Sequence, residues 1–194
     1  MRLFDNLSVG LFGGSFNPAH EGHMHVAKCG LRDLGLDHIW WMISPQNPLK
    51  PKQPSYESRV KTVEALNLPP RMSISHAEVN YGTQFTIDLI KRLERAYPNT
   101  RFVFLMGADN FAQLPKWKNW RKIVDSVPIA VISRPGDGVR PRLSKTARIL
   151  ADARLPEESS HILANLAPPV WTFLTPPLNS LSSTALRKAI AKRP

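Results

Sequence analysis

Short apolar runs alternate with helical patterns along most of the chain. The run Phe102-Val-Phe-Leu-Met106 is apolar at every position, as expected for a strand that is covered on both faces. Residues 85–97 instead carry apolar side chains three or four positions apart, which is typical of a helix with one buried face, and Pro98 ends that pattern. The alternation predicts βαβ units and therefore a parallel sheet.

The same patterns give approximate positions for the individual elements. Apolar runs predict strands at residues 8–12, 38–44, 72–75, 101–106, 129–133 and 170–174. Helical patterns lie near residues 20–34, 56–66, 85–97, 111–113, 120–127 and 182–192. We therefore expect an α/β fold with a Rossmann-like, doubly wound parallel sheet, in a single domain that covers residues 1–194.

Two stretches interrupt this alternation. Residues 45–55 are rich in proline and directly follow the second predicted strand. A loop at the carboxyl end of a strand lies where open α/β sheets bind ligands. Residues 134–160 are rich in Arg, Pro and Gly at first, and we expect an ordered but irregular connection there, followed by an apolar segment of ambiguous type at 161–166.

The composition restricts the compartment and the partners. Cys29 is the single cysteine, which excludes an internal disulfide and a cysteine-rich zinc site. The apolar runs are far too short to cross a bilayer, and residues 1–5 have no apolar core of signal-peptide length. We therefore expect a cytoplasmic protein without a membrane partner.

The chain is strongly basic, with 26 Lys and Arg against 15 Asp and Glu and a formal net charge of +11. Such an excess is typical of nucleic-acid binders, but it also suits an enzyme whose substrates are phosphates. No RNA-binding signature and no basic helix interleaved with aromatic residues is found in the sequence. We therefore expect anionic small molecules, and no nucleic acid, as ligands.

Residues 9–25 contain the most informative motif. An apolar strand leads into the turn Gly13-Gly14-Ser15, and His20 and His23 follow at the start of a predicted helix. Backbone N–H groups and the helix dipole at such a turn favour a phosphate, and the two imidazoles share one helix face. The bland alternative is a tight βα connection with surface histidines.

Other motifs of similar composition do not match this turn. The glycine spacing is neither the G-x-G-x-x-G of dinucleotide-binding folds nor the P-loop pattern. The segment from His20 to His23 is one residue shorter than the H-E-x-x-H zinc motif, and further metal ligands are not marked in the sequence. We therefore interpret the turn as a phosphate site with a different geometry.

Three further sites carry possible chemistry. Ser182, Ser183 and Thr184 precede a predicted helix with Arg187 about one turn inside, which suits a second phosphate site or an ordinary helix cap with a solvated arginine.

Asp109 follows the fourth predicted strand and could face a ligand or cap the next helix. Trp117, flanked by lysines, is suited to stack on a flat ring, whereas we expect Trp120 in the core.

Taken in order, these motifs resemble the bacterial nicotinate-nucleotide adenylyltransferases of the HxGH nucleotidyltransferase superfamily, from about residue 8 to residue 190. The resemblance implies a fold of the nucleotidyltransferase type. It also implies the transfer of AMP from ATP to nicotinate mononucleotide with Mg²⁺, giving deamido-NAD and pyrophosphate in NAD biosynthesis. Protein side chains are not expected to bind the metal.

The resemblance also implies roles for individual residues. His20, His23 and Arg187 would act on the phosphates, and the nicotinate nucleotide would be bound by Thr86, Trp117, Asn47 and Arg134. The ATP-binding residues would be Gly13, Gly14, Ser15, Phe16, Lys50, Asp109, Ser182, Ser183 and Thr184.

Three alternatives remain open at this stage. A phosphopantetheine adenylyltransferase would share the first motif, although that family usually has threonine in place of His20 and lacks the context of Trp117. A cytidylyltransferase would share the first motif as well. A nucleic-acid-binding α/β module would explain the basic charge but not the combination of glycine turn, histidines and C-terminal Ser-Thr-Arg motif.

Overall fold

The structure is a computed structural model that describes residues 4–45, 53–133 and 143–175. Within these residues, seven strands form one parallel sheet in the order β3-β2-β1-β4-β5-β7-β6. The strands are β1 (Ser8–Gly14), β2 (His38–Ile43), β3 (Met72–Ser75), β4 (Arg101–Gly107), β5 (Ile129–Ile132), β6 (Arg154–Leu155) and β7 (Trp171–Leu174). The doubly wound parallel sheet predicted from the apolar runs is therefore confirmed.

The helices of the described residues connect these strands. They are α1 (Glu21–Asp33), α2 (Tyr56–Glu64), α3 (Ala77–Asn80), α4 (Thr86–Ala96), α5 (Ala108–Gln113), α6 (Trp120–Ser126) and α7 (Lys145–Ile149), with 3₁₀ turns at Leu114–Lys116, Ala151–Ala153 and Glu157–Asn165. None of these helices is long and apolar enough to cross a membrane. The helix predicted near residues 182–192 lies outside the described part of the chain.

Alternate residues of each central strand point to opposite faces of the sheet, where two separate cores form. In β2, for example, Trp40 and Met42 belong to the core under α4 and α6, whereas Ile39 and Trp41 belong to the core under α1 and α2. Both faces are therefore covered by helices. This explains why the strands are apolar at nearly every position instead of alternating.

Two glycines allow α1 to pack closely on the central strand. A Cβ atom at Gly10 of β1 would lie 2.6 Å from Ile39 Cδ1 and 2.9 Å from Leu105 Cδ1. A Cβ atom at Gly30 of α1 would meet the same two side chains at 3.1 and 3.0 Å. The shared neighbours show that glycine at both positions leaves room for the side chains that fill the space between strand and helix.

The irregular connection expected between residues 134 and 160 contains more regular structure than the sequence suggested. Its described part includes α7 and the two-residue strand β6, which pairs with β7 through Arg154 and Leu155. The ambiguous apolar segment lies in the 3₁₀ turn at Glu157–Asn165. Such short elements have too few residues to show a hydrophobic repeat in the sequence. They form through contacts with neighbouring elements.

The start of β1 is attached to the loop before β2 by a pair of partly buried hydrogen bonds. Asp37 Oδ2 accepts hydrogen bonds from the Ser8 backbone N–H and from Ser8 Oγ, both at 2.8 Å. The Ser8 backbone bond is the main reason that the pKa of Asp37 lies below its ordinary value. The ionised carboxylate therefore stabilises the folded state.

We predict that Asp37→Asn lowers the free energy of unfolding by about 1–2 kcal/mol at pH 7. Because the folded pKa lies below the unfolded value of about 4, the wild-type advantage is present at neutral pH and is lost as the pH falls through the folded pKa. Urea unfolding at pH 7 and pH 3 measures this difference. Asp125→Asn, at an exposed position of α6, is the matched control, and an equal loss in both variants would contradict the prediction.

Candidate active site

The strand order places the glycine turn at the point where the sheet reverses direction. From β1, the chain builds outward through β2 and β3 on one side and through β4 and β5 on the other. In open α/β sheets, ligands bind at the carboxyl edge of such a switch point. The structure places Gly13 and Gly14 in the last two positions of β1, so the turn itself begins at Ser15. This turn and residues 108–109 after β4 share the edge, because Phe12 pairs with Leu105 near the ends of the two strands.

His20 is the N-cap of α1, and its backbone is extended there. Its Nδ1 accepts a hydrogen bond from the Gly22 N–H at 3.0 Å, and its carbonyl accepts from the His23 N–H at 2.8 Å. In the neutral ring, the proton must then sit on Nε2, which makes that nitrogen a donor. The His20 carbonyl also accepts from the Met24 N–H at 3.3 Å. Because His20 already binds three N–H groups at the start of α1, an anion at this end would contact the imidazole more than the backbone, which revises our expectation from the sequence.

The two histidines of the motif are in contact. The His20 and His23 ring centroids lie 3.9 Å apart, and both residues are almost fully buried, with 5% and 6% exposure. The His23 ring also packs against Phe16, at 5.0 Å between centroids. The alternative of two independent surface histidines is therefore excluded.

Phe16 itself is a core residue. Its side chain is 2% exposed and packs against Phe12 and Trp41, and its φ of 46° lies in the left-handed region. This conformation is rare for residues other than glycine and occurs often at functional turns. The Phe16 ring therefore supports His23 and presents no side-chain face to a ligand.

Phe104 of β4 connects the glycine turn with Trp117. A Cβ atom at Gly13 would lie 3.1 Å from Phe104 Cζ, and the Phe104 ring meets the Trp117 ring edge-on with centroids 6.2 Å apart. Trp117 is half-buried, in contrast to Trp120, which is buried as expected from the sequence. The end of β1 and the half-buried indole therefore contact the same ring.

A second contact joins the segment of Trp117 to the start of α4. The Lys118 Nζ lies 4.0 Å from the centroid of the Phe85 ring, and Phe85 is the N-cap residue immediately before Thr86. Cation–π contacts of this kind are favourable at the protein surface. The structure thus places side by side the segments that hold Thr86 and Trp117, the two described residues that were predicted to bind the nicotinate nucleotide.

Asp109 lies in the first turn of α5 and is exposed to solvent, directly after the carboxyl end of β4. Gly107 is the N-cap of this helix, so Asp109 is not the cap that the sequence left open as an alternative. Asp109 still lies just beyond the carboxyl end of β4, at the edge of the sheet where a ligand is expected. The predicted residues Asn47, Lys50, Arg134, Ser182, Ser183, Thr184 and Arg187 lie outside the described part of the chain.

The described residues include no group of three or more His, Cys, Asp or Glu side chains that could hold a metal ion. His20 and His23 share one helix end, but carboxylates or thiols do not complete a tetrahedral set around them in this part of the chain. The zinc alternative considered for the histidine motif therefore lacks its other ligands here.

Sequence analysis missed two residues that support the turn. Arg59 is 1% exposed and donates to the Ser15 carbonyl at 2.9 Å, while Thr62 Oγ1 accepts from the Ala19 N–H at 3.0 Å. Both lie on α2, where an arginine and a threonine in a polar helix would ordinarily be assigned to the surface. Only the burial seen in the structure distinguishes them.

The sheet order and the turn at its switch point define a nucleotide-binding α/β protein. The model of the cytidylyltransferase-like family matches residues 11–189 of this chain. Two solved structures share the fold: the Plasmodium falciparum nicotinic acid mononucleotide adenylyltransferase complexed with NaAD (TM-score 0.71, 20% identity) and the same protein complexed with APC (TM-score 0.69, 19% identity). Each match covers 94% of this chain and 83% of the other chain.

Two bacterial relatives narrow the assignment, and both carry the name "Probable nicotinate-nucleotide adenylyltransferase". The protein of Ruegeria sp. (strain TM1040) is 45% identical over 94% of this chain and 97% of its own length. The protein of Parvibaculum lavamentivorans is 47% identical over 96% and 94%, respectively. The chain therefore belongs to the cytidylyltransferase-like family and, within it, to the nicotinate-nucleotide adenylyltransferases.

The cap made by His20 can be separated from its other roles by substitution. We predict that His20→Ala lowers the free energy of unfolding by about 1 kcal/mol, because the Gly22 N–H loses its partner. His20→Asn should restore most of this loss, since asparagine is a good N-cap residue. Urea unfolding of both variants measures the difference, and equal stability of the alanine and asparagine variants would contradict the capping role.

Proposed function

We propose that this chain transfers AMP from ATP to nicotinate mononucleotide, forming deamido-NAD and pyrophosphate, with the described site as its centre. The carrying observation is the contact of His20 with His23 at the switch point, together with Phe104 of β4, whose ring contacts both Gly13 at the end of β1 and Trp117. A phosphate site and a stacking surface that share this part of the sheet suit a reaction that joins two nucleotides.

The reaction needs alignment more than proton transfer. A 5′-phosphate oxygen of nicotinate mononucleotide attacks the α-phosphorus of ATP and forms a new P–O bond. The bond between the α-phosphorus and the α,β-bridging oxygen breaks, and this oxygen leaves with its electron pair as part of pyrophosphate. The attacking oxygen is already ionised at neutral pH, so a general base is not required. Positioning and stabilisation of the developing negative charge supply the catalysis.

The described residues are suited both to positioning the substrates and to stabilising the developing negative charge. The Nε2–H of His20 can donate to a phosphate oxygen, because Nδ1 is occupied by Gly22. His23, held against Phe16, would be a second contact, and Asp109 would help to position the adenosine. Trp117 would stack on the nicotinate ring beside the backbone near Thr86.

The roles of the remaining residues follow from the sequence resemblance alone. Arg187 with Ser182, Ser183 and Thr184 would hold the β- and γ-phosphates, and Lys50 would lie close to them. Asn47 and Arg134 would contact the nicotinate nucleotide. We propose that Mg²⁺ enters with ATP as part of the substrate and neutralises phosphate charge there, and that the enzyme works in the cytoplasm.

A pyrophosphate-release assay with ATP and Mg²⁺ tests the activity. We predict turnover with nicotinate mononucleotide and much less with nicotinamide mononucleotide or phosphopantetheine, and His23→Ala or Arg187→Ala should lower kcat at least about tenfold. His20→Asn should also lose turnover although it stays folded. Lack of a preference for the nicotinate nucleotide would overturn the substrate assignment, and near-wild-type turnover in both alanine variants would overturn the phosphate site.

The stacking role of Trp117 gives a separate prediction. Trp117→Ala should raise KM for nicotinate mononucleotide about tenfold, because stacking on an aromatic side chain contributes on the order of 1–3 kcal/mol. KM for ATP should change less than about twofold, and Trp117→Phe should retain most of the affinity. Steady-state kinetics with each substrate varied in turn measures this. A parallel rise in KM for ATP would contradict a role on the nicotinate side.

A further inference from the structure

Arg59 of α2 is a buried cation whose hydrogen bonds, among the described residues, all go to backbone carbonyls, and its guanidinium also lies over the Tyr56 ring at 5.9 Å from the centroid. Its Nη1 donates to Ser15 O at 2.9 Å and to Ser44 O at 2.7 Å, its Nη2 donates to Pro45 O at 2.6 Å, and its Nε donates to Pro54 O at 3.1 Å. The fork of one guanidinium therefore ties together the end of the β1 turn, the end of β2 and the entry to α2.

Thr62 adds a second attachment one helical turn along α2. Its Oγ1 accepts from the Ala19 N–H at 3.0 Å and lies 3.3 Å from Phe16 O and 2.7 Å from Arg59 O, to either of which its single proton can be donated. Arg59 and Thr62 face the same direction because three residues separate them on a helix. Together they hold both ends of the segment 15–19, which links the glycine turn to the His20 cap.

The charge of Arg59 is not neutralised by an ion pair. Among the described residues, no carboxylate lies within salt-bridge distance of it. The acidic group of Glu78 acts on it through space, but burial raises the pKa of Glu78 to about 7, so that carboxyl is partly neutral at physiological pH. An arginine keeps its charge in proteins. A positive charge therefore remains directly beneath the turn.

A side chain that is 1% exposed cannot touch ATP, so any effect on the reaction must act through the turn. Burying an arginine is costly unless its donors are bound, and four carbonyls from three separate segments satisfy this condition. A surface helix needs no such arrangement for its own stability. The contacts instead determine where Ser15 and Phe16 lie relative to His20 and His23.

We propose that Arg59, assisted by Thr62, is a positioning residue that holds the β1–α1 turn in its phosphate-binding geometry and adds positive potential under it. The inference rests on the proposed assignment of this turn to ATP. It gives Arg59 a specific effect on the ATP side of the reaction and little effect on the side of the nicotinate nucleotide at Trp117.

The test compares Arg59→Met, Arg59→Lys and Thr62→Val with Lys61→Met, which removes an exposed cation from the same helix. We expect Arg59→Met to raise KM for ATP and the calorimetric Kd for Mg·ATP about tenfold or more, since small displacements of positioning groups have large effects. KM for nicotinate mononucleotide should stay within about twofold in every variant. Arg59→Lys should be intermediate, and Lys61→Met should match the wild type.

Two outcomes would overturn the inference. One is a folded Arg59→Met variant with unchanged affinity for ATP, and the other is an equal rise of both KM values, which indicates general loosening of the fold. If Arg59→Met does not fold, Thr62→Val must show the same selective loss for ATP, and equal changes for both substrates would count against the proposal. Titration of the wild type with Mg·ATP alone makes this test independent of the proposed acceptor. The affinity for ATP can be measured even if nicotinate mononucleotide is not the acceptor.

Discussion

Helix α1 packs over the central strand β1 at two glycines, where the side chains of Ile39 and Leu105 fill the space between helix and strand, and the position of the helix that begins at the site follows from this packing. A Cβ atom at Gly10 would lie 2.6 Å from Ile39 Cδ1, and Gly30 on the helix faces the same neighbours. The close packing fixes the direction of α1 relative to the sheet. The first turn of the helix, with His20 and His23, is thereby directed at the carboxyl edge where the strand order reverses.

The second requirement is that the backbone N–H and C=O groups at this edge have hydrogen-bond partners. Carbonyl groups beyond the carboxyl ends of the strands no longer pair with a neighbouring strand, and buried backbone groups need partners. Helix α2 supplies them through Arg59, while His20 satisfies an N–H group at the start of α1. The site is therefore built from side chains that complete the hydrogen bonding of the turn, and the ring of Phe104 joins this turn to the half-buried indole of Trp117.

The sequence predicted the parts whose signal is local. Fully apolar runs such as 102–106 identified the inner strands, and the spacing of apolar residues in α4 identified that helix. The motif from Gly13 to His23 indicated a phosphate site. By contrast, β6 has only two residues and exists because β7 lies beside it, and Arg59 looks like a surface arginine until its partners from distant segments are known. The cap at His20 was also hidden, because histidine is not a usual N-cap residue.

The sequence by itself determined the class of fold and the family, because periodicity and motif spacing are properties of residues close together in the chain. Only the tertiary structure decided which side chains meet. It buried Phe16 beneath His23, separated the half-buried Trp117 from the core residue Trp120, and placed Arg59 under the turn. The physical reason is that these contacts join residues far apart in the chain, and the packing of helices on both faces of the sheet sets their distances.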